Sequence, residues 1–72
     1  MERLKLLRIS NGFTQAAIAE RLHVRQNTYS QYENGVREIP IELLKKLAVT
    51  YETSIDYIVG LTDEEAPYPK TN

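Results

Sequence analysis

Residues 14–35 read Thr14-Gln15-Ala16-Ala17-Ile18-Ala19-Glu20-Arg21-Leu22-His23-Val24-Arg25-Gln26-Asn27-Thr28-Tyr29-Ser30-Gln31-Tyr32-Glu33-Asn34-Gly35. Thr14 is a good helix cap, and the run Gln15 to Leu22 has a helical apolar stripe of Ala17, Ile18 and Leu22. Ala19 is small enough for close helix approach. His23-Val24 leaves only a very short connection before a second helical run, Arg25 to Glu33, which Asn34-Gly35 closes. On that second run, stepping about 100° per residue, Gln26, Ser30, Asn34, Asn27 and Gln31 fill one arc of about 140°. Both Tyr29 and Tyr32 fall on the opposite side. One face is therefore wholly amide and hydroxyl.

That face is unusual for a helix that only meets water. Solvated faces favour Lys and Glu, which are long and form helices well; Asn and Ser form them poorly. What these residues share is short, directional hydrogen-bonding groups. Gln and Asn can each make two hydrogen bonds to an adenine edge, and the major groove of duplex DNA admits one helix. A plain solvated polar face is the competing explanation. Gln15 stands at the first turn of the preceding helix, where free backbone N–H groups attract phosphate. Two helices set at an angle across a short turn form a helix-turn-helix arrangement.

Outward from this unit the chain stays helical. Residues 2–10 predict a first helix with Leu4 and Leu7 one turn apart, and Gly12 suits a left-handed stop. Pro40 starts a helix over Ile41 to Tyr51, with a stripe of Ile41, Leu44, Leu47, Ala48 and Tyr51. Ser54 caps a short last helix ending near Val59-Gly60, with Ile58 in the core. Residues 62–72, acidic and Pro-containing, read as a loose or docked tail. Nothing alternates as a strand would. The expected fold is all-α, five short helices in one bundle over residues 2–61, followed by the tail.

Composition sets the bounds. Seventy-two residues hold one domain and exclude the large catalytic scaffolds. Leu, Ile, Val and Phe make up 19 of the 72 residues, above the roughly 20% below which chains tend to stay disordered. There is no Cys and one His, so neither a disulfide nor a zinc site is expected. No cofactor is implied. No Ser/His/Asp set, carboxylate pair in a cleft or phosphate-cradling Gly loop appears, so an enzyme is not expected. No stretch of 18 apolar residues is present and the N-terminus lacks a signal-peptide pattern, so a cytoplasmic protein without membrane contact is expected. Net charge is −1 overall, but residues 1–39 hold six basic and four acidic groups while residues 40–72 hold three basic and six acidic. The half with the amide face is the positive half.

The run Thr14 to Leu22 through Tyr32-Glu33-Asn34-Gly35 resembles the Cro/cI-type helix-turn-helix family of phage and bacterial repressors, also called XRE-like or lambda-repressor-like. Pro40, Leu44-x-x-Leu47-Ala48-x-x-Tyr51 and Ser54-Ile55-Asp56-Tyr57-Ile58 resemble the last two helices of that family. The resemblance covers about residues 2–61. It implies a sequence-specific double-stranded DNA-binding regulator, a repressor acting as a homodimer on a palindromic operator at the nucleoid. It implies base contacts from Gln26, Asn27 and Gln31, base or phosphate contacts from Thr28 and Ser30, and phosphate contacts from Gln15, which also braces the recognition helix, and from Arg25, Asn34 and Arg37. It also implies an ion pair between Arg8 and Glu33, both on inner faces where a charge needs a partner.

Two positions depart from the family pattern. His23 stands where the family often has Gly, a position that commonly needs positive φ. Arg25 stands where a Ser or Thr cap is usual, and Arg cannot accept that bond. Tyr57, Leu61 and Tyr68 fall off the main stripes and suit either a dimer contact or a docked tail. The alternative function is a protein-interaction module, an antitoxin or anti-repressor partner with little DNA binding of its own.

Overall fold

The computed structural model describes residues 2–67 and 69. Five helices follow one another: α1 (Glu2–Ser10), α2 (Gln15–Arg21), α3 (Gln26–Glu33), α4 (Ile41–Thr50) and α5 (Ile55–Val59). Among the described residues there is no strand. The core is drawn from every helix: Leu4 and Leu7, Ile18 and Ala19, Tyr29 and Tyr32, Leu47 and Ala48, and Ile58, with Leu22 and Tyr51 just past two helix ends. Phe13, Val24, Ile39, Leu43 and Ile55 pack around it from the turns and first turns.

Caps begin two of the helices. Thr14 accepts the backbone N–H of Ala17 (3.0 Å) and Ser54 that of Tyr57 (3.0 Å). All five helices then end in one way: a left-handed residue whose N–H turns back three residues, followed by an N–H that reaches back five. Gly12 and Phe13 bond to Ile9 and Arg8, and His23 and Val24 to Glu20 and Ala19. Gly35 and Val36 bond to Tyr32 and Gln31, Glu52 and Thr53 to Val49 and Ala48, and Gly60 and Leu61 to Tyr57 and Asp56. The reversing φ values run from 53° at Glu52 to 87° at Gly60. This ending satisfies last-turn carbonyls within about two residues, which is how helices of five to ten residues can be joined so tightly. His23 (φ 59°) has the positive φ its position suggested; Glu52 is a left-handed residue that composition did not signal.

Two expected core residues lie outside it. Ala17 is exposed, because a step of about 100° from Ile18 carries it off the face that Leu22 and Ala19 share. Ile41 is 53% exposed: it sits at the edge of the α4 stripe, in the first turn, and Leu43 packs on the core from the other edge. Boundaries differ by a residue: α2 ends at Arg21, α3 starts at Gln26 and α4 ends at Thr50. Tyr57 is half-buried against the core, Leu61 is exposed, and Tyr68 lies outside the described residues.

The left-handed positions predict opposite effects of glycine. Gly60→Ala should lose about 1 kcal/mol, all of it from the backbone, since a Cβ there meets no atom within 4 Å. Glu52→Gly should gain about 0.5–1 kcal/mol, because Glu52 is exposed and carries the left-handed strain itself. Urea unfolding midpoints of the two variants should shift in opposite directions.

Candidate nucleic-acid interface

The orientation of α3 is set by what it buries. Tyr29 is fully buried and Tyr32 and Glu33 nearly so. The arc opposite them faces outward: Gln26, Asn27 and Asn34 are exposed, while Ser30 and Gln31 on the same arc, and Thr28 beside it, are half-buried. Arg25 occupies the N-cap position with extended backbone (ψ 150°) and makes no side-chain cap bond, so its exposed side chain is not engaged by the helix it precedes.

Past the end of α3 the chain folds back onto its own carbonyl. The N–H groups of Val36 and Arg37 both donate to Gln31 O, at 2.9 and 3.2 Å. That holds Asn34 and Arg37 beside the end of the amide face. The Asn34 amide also lies 3.5 Å from the Ser30 hydroxyl. Among the described residues neither Arg25 nor Arg37 makes an ion pair.

Beneath the face lies a polar joint. Arg8 of α1 forks Glu33 of α3, with Nε donating to Oε2 (2.9 Å) and the terminal Nη2 to Oε1 (3.0 Å). Its remaining nitrogen donates to the carbonyl of Phe13 in the α1–α2 turn (2.9 Å). Gln15, first residue of α2, donates its amide to Glu33 Oε1 (3.3 Å). One carboxylate thus joins α1, α2 and α3. The Glu33 side chain is only 3% exposed and that of Arg8 11%. Burial pushes the Glu33 carboxyl up, but the bonds from Arg8 and Gln15, with the Tyr29 hydroxyl nearby, outweigh it and hold the group below its ordinary range. The bond to Glu33 raises Arg8 in turn. Burial, with Glu33 beside it, pushes the Tyr29 hydroxyl far up; burial also moves that of Tyr51 to about 12. Both hydroxyls stay neutral in the interior.

Gln15 is placed as the brace on the recognition helix that the resemblance implies: its amide nitrogen donates to Glu33 of α3. One partner in this joint has no sequence signal of its own: the Phe13 carbonyl is main chain. The Phe13 ring meets Tyr51 edge-on (centroids 6.1 Å apart) and the Arg21 guanidinium (5.9 Å), so the α1–α2 turn is packed as well as bonded. Among the described residues no group of three His, Cys, Asp or Glu side chains is placed to hold a metal, and no helix is long and apolar enough to cross a membrane.

A family model described as helix-turn-helix matches residues 4–58, from α1 to α5 and across the whole α2–α3 unit. The chain belongs to the Cro/cI-type helix-turn-helix family. Among other helix-turn-helix proteins it is similar to the uncharacterized HTH-type transcriptional regulator YobD of Bacillus subtilis (strain 168), 36% identical over 66 residues, covering 92% of this chain and 59% of that one. It is similar to the HTH-type transcriptional regulator ImmR of the same organism, 39% identical over 59 residues, covering 82% of this chain and 46% of the relative. A third, the HTH-type transcriptional regulator AnsR, is 29% identical over 70 residues, covering 97% and 60%. This helix-turn-helix chain spans about half to three-fifths of the length of these relatives. No solved structure gives a significant match.

The joint beneath α3 should dominate stability. Glu33→Gln leaves Arg8 buried without a counter-charge and should lose about 3–5 kcal/mol near pH 7. A domain of 72 residues has only about 4–11 kcal/mol in total. Because folding lowers the Glu33 pKa, its contribution is complete above the ordinary carboxyl value of 4.5 and disappears as pH falls through the folded value. Urea titrations at about pH 7 and about pH 3 should show the gap between wild type and Glu33→Gln narrowing in acid.

Proposed function

We propose that this chain is a sequence-specific duplex-DNA-binding transcriptional regulator that reads the major groove with α3. The observation that carries this reading is the amide face of α3, exposed at Gln26 and Asn27 and half-buried at Gln31, on a helix locked to two others through Glu33. Gln26 and Asn27 lie at the N-terminal end of α3, the end that enters a groove deepest in this type of docking. They and Gln31 would bond base edges, with Thr28 and Ser30 touching base or phosphate. Arg25, Asn34 and Arg37, and the outer side of Gln15, would hold the phosphates and fix the register.

Regulation would follow from occupancy. A homodimer on a palindromic operator, two half-sites about one helical turn apart, would block access of the transcription machinery in the cytoplasm. The names of the relatives, transcriptional regulators all, support the general class.

Selection of sites from random duplex DNA tests the proposal. One preferred motif is expected. Gln26→Ala and Asn27→Ala should relax the preference at individual positions while circular dichroism stays that of the wild type. Arg37→Ala should weaken all duplexes about equally and make the plot of log affinity against log salt shallower by about one. Absent or salt-insensitive duplex binding by the folded chain would reject the proposal and favour a protein partner instead.

A further inference from the structure

The segment after α5 is bonded to the body of the domain at two separate places. Arg3, in the first turn of α1, donates from one terminal nitrogen to the carbonyls of Tyr57 (3.0 Å) and Thr62, and from the other to Asp63 Oδ1 (2.6 Å). Its guanidinium also lies 4.3 Å from the centre of the Tyr57 ring. One side chain therefore holds the last turn of α5, the ring on that turn and the strand of chain that leaves it. On the far side, the buried Thr53 donates its hydroxyl to the carbonyl of Glu65 (2.6 Å). Between these points Thr62 accepts the N–H of Glu64 (3.1 Å), and Glu64 that of Ala66 (3.1 Å), so the segment is also turned upon itself.

We propose that residues 62–66 form a latch closed over α5 by Arg3 and Thr53, and that this latch opens locally, without opening the α2–α3 unit. The two bolts come from α1 and from the turn before α5, so neither belongs to the elements that carry the amide face. α5 is the shortest helix, five residues, and contributes one buried residue, Ile58. An element with so small a buried share is where sub-global opening is cheapest. The Glu33 joint, by contrast, is buried and binds three helices. The same helix carries Arg3 at its start and Arg8 at its end, and only the Arg3 end depends on the latch.

A glutamate-specific protease on the full chain tests this, because Glu64 and Glu65 lie inside the latch while Glu38 lies in the exposed loop after α3. In the wild type, cleavage at Glu64–Glu65 should be at least about tenfold slower than in a free peptide of residues 61–67. Arg3→Ala should accelerate it about tenfold with cleavage at Glu38 unchanged, and Thr53→Val, which keeps shape and removes the hydroxyl, should do the same. Hydrogen exchange should show Leu61 to Ala66 losing protection in both variants and Tyr29 to Glu33 keeping it. Wild-type cleavage at the peptide rate, no acceleration in Arg3→Ala and Thr53→Val, or equal acceleration at Glu38 would each overturn the proposal. None of these readings depends on DNA.

Discussion

Removing a guanidinium and a carboxylate from water is costly, and the Arg8–Glu33 pair meets that cost only because almost every polar atom of both groups is used. Arg8 spends its fork on the carboxylate and its third nitrogen on a turn carbonyl; Glu33 takes an amide as well. The geometry tolerates little displacement of any one helix. A purely apolar contact at this place would let α3 slide or roll by fractions of an ångström at low cost, since dispersion is non-directional. The charge-assisted bonds replace that freedom with a single register. The pose of the amide arc, with Gln26 and Asn27 outward, is thus decided on the inner side of the same helix.

The remaining constraint is brevity. Among the described residues no helix exceeds ten residues, so none is stable alone and each must be ended quickly and packed at once. A reversed residue at every helix end accomplishes both. It satisfies carbonyls that would otherwise face the interior, and it delivers the next residue toward the core: Phe13 and Val24 arrive this way and pack there, and Thr53 arrives buried. Where that residue is instead exposed, as with Val36 and Leu61, it lies at the rim of the bundle.

The helices and the inner face of α3 could be read from residue order because they rest on periodicity and caps. Leu4 and Leu7, Leu47 and Ile58, and the two tyrosines of α3 announce their burial by spacing alone. Ala17 and Ile41 depart from expectation for one reason: residue type and rough period point both to the core, but burial also depends on which neighbour covers a given angle and how far along the helix it reaches. Main-chain features were invisible for a different reason. Phe13 O in the joint, Glu52 with positive φ and Glu65 O under Thr53 involve atoms that every residue possesses, so no side-chain pattern marks them. Of the outward site, the face itself was legible, and the brace from Gln15 was legible through the resemblance; which atom of α3 it reaches was not, because that depends on how far α2 stands from α3.

Gln31 serves the molecule twice, with different atoms. Its carbonyl suspends the loop of Asn34 and Arg37, while its half-buried side chain lies on the amide arc of α3. A point substitution changes the second without touching the first, since every amino acid carries the same carbonyl. The surface chemistry displayed at this position can therefore drift from one descendant to another while the neighbouring scaffold is inherited intact.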